Sequence, residues 1–153
     1  MGSGKTVLAR KLSKKLSIPR LELDSIAFDK NWKAVDRTMI LPDIASFMEQ
    51  ESWVIDGNYD DLMQVERLER ADEIIFIMLP RLHCLICALK RTKERKLAGY
   101  HNDINPWFIR FLLFDCRNKT TKAAYKRIAS DYCDKLTILK SQRDIDYYLS
   151  KVC

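Results

Sequence analysis

No stretch of this chain is apolar for the roughly 20 residues that a membrane-spanning helix needs, so the sequence predicts no span. The basic residues near the start are followed by no long apolar stretch, which excludes a secretory signal there. Repeats, low-complexity tracts and linkers are also missing, so residues 1–153 are expected to form one domain with a real core. The cysteines are five, an odd number, and scattered; reduced, mostly buried thiols are the expectation. Cys84-x-x-Cys87 has the spacing of a zinc or redox half-site, but Cys116, Cys133 and Cys153 supply no second pair. Helix-turn-helix, zinc-finger and other nucleic-acid motifs are absent, so the net charge of +6 is by itself a weak pointer to DNA. With 47% hydrophobic and 31% charged residues the composition is that of a soluble globular protein, and a cytoplasmic location is expected.

What is present is concentrated at the start. Gly2-Ser3-Gly4-Lys5-Thr6 is the second half of the phosphate-binding pattern G-x-x-x-x-G-K-[ST], the Walker A loop. The pattern's opening glycine would stand two positions before Met1, and a strand normally feeds the loop. In such a loop glycines let successive backbone N–H groups turn toward an anion, and the following helix adds its positive end. The lysine then reaches the β- and γ-phosphates and the hydroxyl ligates Mg²⁺. Leu8, Leu12 and Leu16 recur at helical spacing behind the motif, with Lys11, Lys14 and Lys15 on the outer face and a stop near Ser17-Ile18-Pro19. An expression scar would leave Gly-Ser-Gly but neither Lys-Thr nor this helix. Met-Gly-x-x-x-Thr also fits the permissive N-myristoylation pattern.

Strands and helices alternate along the rest. Residues 20–24 read as a strand ending at Asp24, and Ile40, Leu41, Ile44, Phe47 and Met48 as a helix that must hold Pro42 in its first turn. Trp53-Val54-Ile55 reads as a strand followed by the turn residues Asp56-Gly57-Asn58-Tyr59, and 60–70 as a charged helix. Residues 73–79 are apolar on both faces, as a buried parallel strand should be. Pro80 opens a helix that runs to about Lys96. After a loop at 99–103, an amphipathic helix starts at Trp107 and continues, past a break near Cys116, to about Ala129. A strand at 136–139 and a helix at 144–149 close the chain. This alternation predicts an α/β fold with a parallel sheet, in which ligands bind at the carboxyl ends of the strands. Asp24 and Asp56 lie at two such ends.

The blocks Gly2-Ser3-Gly4-Lys5-Thr6, Leu23-Asp24, Trp53-Val54-Ile55-Asp56-Gly57-Asn58-Tyr59, Arg70-Ala71-Asp72, Leu79-Pro80-Arg81 with Cys84, and Leu139-Lys140-Ser141 resemble the bacterial P-loop "DNA topology modulation" proteins. These are similar to adenylate and shikimate kinases, and the matching blocks extend over nearly the whole chain. The resemblance implies a three-layer α/β/α P-loop fold with a parallel sheet ordered 2-3-1-4-5, of which this chain would lack the first, central strand. It also implies ATP and Mg²⁺ at the loop and a mobile lid, here about 91–118. Three departures stand out: the missing strand and glycine, Met78 where relatives carry aspartate, and Cys87 where they carry arginine.

The expected activity is phosphoryl transfer from ATP to a small-molecule or nucleotide acceptor, a reaction that rests on positioning and charge neutralisation. Gly2, Ser3, Gly4, Lys5 and Thr6 would bind the nucleotide, with Lys5 on the phosphates and Thr6 on Mg²⁺. Asp56 would hold the metal through water, and Asp24 would accept a proton or hydrogen bond from the acceptor hydroxyl. Arg91 and Arg95 would offset charge on the moving group. Asp24 and Asp56 also suit plain caps and turns. The alternatives are a nucleotide-binding regulator, a DNA-associated protein without kinase activity, and an inactive truncated fragment.

Overall fold

The computed structural model describes residues 3–29, 33–97, 107, 109–110 and 118–152, and of residues 91 and 94–96 the backbone only. Among these residues seven α-helices and two small parallel sheets give a mixed α/β architecture. The chain divides into two compact units, Lys5–Asp72 with Ile145–Cys153, and Met1–Gly4 with Glu73–Asp144.

The first of these units opens with α1 (Lys5–Leu16), whose leucine period buries Leu8 and Leu12. Ser17 ends it in the left-handed conformation, φ 57°, with Ile18 N–H returning to Ser13 O at 3.1 Å. That is the wrap-up by which a helix terminus satisfies its last carbonyls. Then come β1 (Arg20–Glu22), α2 (Leu23–Ala27), α3 (Arg37–Phe47), β2 (Val54–Asp56) and α4 (Gln64–Arg70). β1 and β2 pair in parallel with Leu21 opposite Ile55 and Glu22 opposite Asp56, and α1 packs on both strands. Leu23, Ala27, Ile40, Ile44, Met48 and Leu62 form the core beside the sheet.

Three local expectations are corrected here. The strand stops at Glu22, not Asp24: Leu23, fully buried, turns into α2, and Ser25 Oγ closes the turn by donating to Glu22 O at 2.6 Å. Pro42 lies inside α3 rather than in its first turn, because Asp36 starts the helix earlier by accepting from Thr38 N–H at 2.9 Å. The helix expected at 60–70 begins only at Gln64, preceded by Met63 at φ 52°. Arg67 occupies the carbonyls of Gly57, Tyr59 and Leu62 and so holds the preceding segment as a loop.

The other unit contains β3 (Ile74–Ile77), α5 (Arg81–Leu97), α6 (Lys119–Asp131), a 3₁₀ turn at Cys133–Lys135, β4 (Leu136–Leu139) and the start of α7 (Gln142–Lys151). β3 and β4 are parallel from Ile74 opposite Leu136 to Ile77 opposite Leu139. Phe76 meets Tyr125 edge-on at 5.3 Å between ring centroids. Asn118 caps α6, accepting from Thr121 N–H at 2.8 Å. Ser141 and Asp144 form a reciprocal capping box at the start of α7. The loop expected at 99–103 and, of the helix expected from Trp107 to about Ala129, residues 108 and 111–117 lie outside the described residues. No helix among the described residues is long and apolar enough to cross a membrane.

Candidate functional site

The chemistry-bearing residues of the first-described unit gather where β1 and β2 end. Gly4 takes φ +82°, a left-handed value that glycine adopts without steric cost, immediately before α1 begins at Lys5 and Thr6. The parallel register sets Glu22 beside Asp56, and like charges directly opposite on neighbouring strands repel. Arg20 relieves this by donating to Glu22 Oε2 at 3.1 Å.

Asp56 is 7% exposed. Burial pushes its carboxyl above the ordinary carboxylate value. The polar Thr6 hydroxyl and the Lys5 charge pull the other way, while Glu22 and Asp24 add repulsion. Lys5, Thr6, Asp24 and Asp56 therefore share one electrostatic neighbourhood.

Asp24 sits in the first turn of α2, exposed, and its Oδ1 accepts the Tyr59 hydroxyl at 2.5 Å. Arg37 lies over the Tyr59 ring at 5.8 Å and donates to Asp61 Oδ2 at 2.7 Å. Burial first, then the Asp24 carboxylate, raise the Tyr59 hydroxyl well above the ordinary phenol range.

Of the residues expected at the site, the structure brings Lys5, Thr6, Asp24 and Asp56 together. Ser3 is buried and precedes Gly4 in a bend. Gly2 lies outside the described residues. Arg91 and Arg95 belong to α5, in the other unit, and their side chains also lie outside the description. Cys84 is buried and Cys87 half-buried on the same helix.

Sequence reasoning missed Tyr59, Arg37 and Arg67. Tyr59 stood in a block noted as turn chemistry and as part of the family resemblance, with no role of its own. For Arg67 nothing in a helix of alternating charges separates it from Arg70, which is exposed and pairs with Glu49.

A divalent cation has suitable donors here. The Thr6 hydroxyl and the Asp56 carboxylate are hard oxygen ligands, and Mg²⁺ is usually held by one or two protein oxygens plus phosphates and water. Among the described residues no group of three or more His, Cys, Asp or Glu could hold a metal by itself. Comparison with protein-family models and with curated proteins found no match to this chain.

Proposed function

We propose that this protein binds ATP with Mg²⁺ and transfers its terminal phosphoryl group to a small-molecule or nucleotide acceptor, on a P-loop kinase-like fold. The observation that carries the reading is the buried Asp56 carboxylate with Thr6 and the Lys5 charge acting on it, at the carboxyl end of a parallel strand pair. A lysine, a hydroxyl and a buried carboxylate are the groups that a triphosphate and its cation require. Further support comes from strand pairing: the order 2-3-1-4-5 contains the neighbours 2-3 and 4-5, and the described sheets are two such parallel pairs of consecutive strands.

In this reading Gly2, Ser3, Gly4 and Lys5 bind the phosphates, and Thr6 and Asp56 face the metal. Mg²⁺, when bound, neutralises charge on the β- and γ-phosphates. Asp24 accepts the proton of the attacking hydroxyl, and Arg91 and Arg95 of α5 offset charge on the group in transfer. Membership of the "DNA topology modulation" family is part of the proposal.

Calorimetric titration with Mg·ATP tests it. The parent protein is expected to bind, and Lys5→Ala to weaken binding about 100-fold, the size of one lost charge-assisted contact. Equal affinity in the two proteins would sink the assignment.

A further inference from the structure

Tyr59 has no part in the steps above, yet it is held from several sides. Its hydroxyl donates to Asp24 Oδ1. Its ring is 6.5 Å from Phe28 by centroids, in a tilted arrangement, and the Arg37 guanidinium lies over it at 5.8 Å. Arg37 is itself tied down, by Asp61 and by a 3.1 Å bond from Nη1 to Ala27 O. The Tyr59 carbonyl accepts from Arg67 Nη2 at 2.6 Å, and Arg67 also donates to Leu62 O at 2.7 Å and Gly57 O at 3.3 Å. Arg67 is 8% exposed, so this anchoring of the main chain lies in the interior.

We propose that Tyr59 is the positioning residue for Asp24: it grips Oδ1 and leaves Oδ2 to receive the acceptor's proton. The inference rests on the phosphoryl-transfer reading and adds to it the residue that aims the base. An exposed aspartate rotates freely about two side-chain bonds, and a base must sit within hydrogen-bond reach of the proton it takes. One fixed oxygen removes both rotations. As the acceptor oxygen bonds to the γ-phosphorus, its proton passes to Oδ2. The bond from that phosphorus to the β–γ bridging oxygen breaks, and ADP departs with the electron pair. Tyr59 keeps its own proton throughout, because burial and the neighbouring carboxylate disfavour the phenolate; Arg37 opposes them and Asp61 joins them.

The test compares the parent, Tyr59→Phe, Asp24→Asn and the double variant. ADP release from Mg·ATP is read with water as the acceptor and with AMP, adenosine and glycerol added. Tyr59→Phe is expected to lower kcat about 10- to 100-fold, the range of a misplaced reacting group, at unchanged KM for ATP. In the Asp24→Asn background the same change is expected to cost nothing more. Ultraviolet titration of the tyrosines supplies a second readout: Tyr59→Phe removes one that ionises above the ordinary phenol range, and Asp24→Asn brings that one down in pH.

Three results would each overturn the inference: parental turnover by Tyr59→Phe, losses that multiply in the double variant, or a tyrosine titration that ignores Asp24. A parent that releases no ADP with any of these acceptors also overturns it. Failure of the underlying reading shows separately, as undiminished ATP binding by Lys5→Ala.

Discussion

The two strand pairs are built alike and end differently. β1 and β2 run three residues each; Asp56 is the last residue of β2 and Asp24 follows β1 by two positions, in α2, with Lys5, Thr6 and Tyr59 gathered beside them. β3 and β4 run four residues each and are followed by Met78-Leu79 and Lys140-Ser141; the polar contacts described after β4, from Lys140, Ser141 and Asp144, serve to cap α7. The helices differ in the same sense. α1 turns lysines outward, whereas α5 exposes Leu82, Ile86 and Leu89. The contrast teaches that parallel pairing does not make a site. A site forms where the residues just past a strand are polar, held close, and partly withheld from water.

The largest expected break in this contrast is at Gly57. It takes φ +145°, and a Cβ there would stand 2.7 Å from Leu23 Cβ, a rigid atom. Gly57→Ala is expected to cost roughly 3 kcal/mol, combining backbone strain and overpacking, read as a lower urea midpoint. At Gly4, φ +82°, an added Cβ meets nothing within 4 Å, and alanine is expected to cost only about 1 kcal/mol.

Arg67→Met comes next, at about 2 kcal/mol, because it strands buried carbonyls that the guanidinium satisfies. The same comparison at exposed Arg70 is expected to show a loss below about 0.5 kcal/mol.

Asp56→Asn sharpens the contrast from the other side. The folded protein raises the Asp56 pKa, so the neutral acid is the form the fold prefers. Its contribution to stability is full below the unfolded value of 3.8 and is lost as pH rises through the folded value. Asn is uncharged at every pH. The variant should therefore melt no lower than the parent at neutral pH, and should lose the parent's gain in stability on acidification through that window. Thermal scans across pH check both. Smallest of all is Ile86→Gln on the exposed face of α5, expected to shift stability by less than about 0.5 kcal/mol.

Much of this architecture was legible from local pattern. α1, β2, α5 and β4 fall where leucine spacing, apolar runs and Pro80 put them, within a residue or so, whereas β3, expected over 73–79, stops at Ile77. Lys5, Thr6, Asp24 and Asp56 were legible as candidates because each follows a strand or opens a helix. What escaped depends on contacts distant in sequence. Nothing in Leu21-Glu22-Leu23-Asp24 announces that Leu23 is buried under Gly57, which is what ends the strand early. Pro42 reads as a helix breaker by rule, yet α3 carries it, since the cap at Asp36 and the burial of Ile40 and Ile44 on either side outweigh one lost backbone bond. Tyr59 looked like part of a turn because a hydroxyl reaching an aspartate 35 positions away leaves no local trace.

The contact between Gly57 and Leu23 has a mechanical consequence. It joins the end of one strand to the exit of its neighbour with less than a methyl group of clearance. Asp56 and Asp24 each lie one position from that joint, so the packing holds their main-chain positions like the two arms of a gauge. On the phosphoryl-transfer reading, an acceptor would meet two residues whose main-chain spacing is already set by this packing.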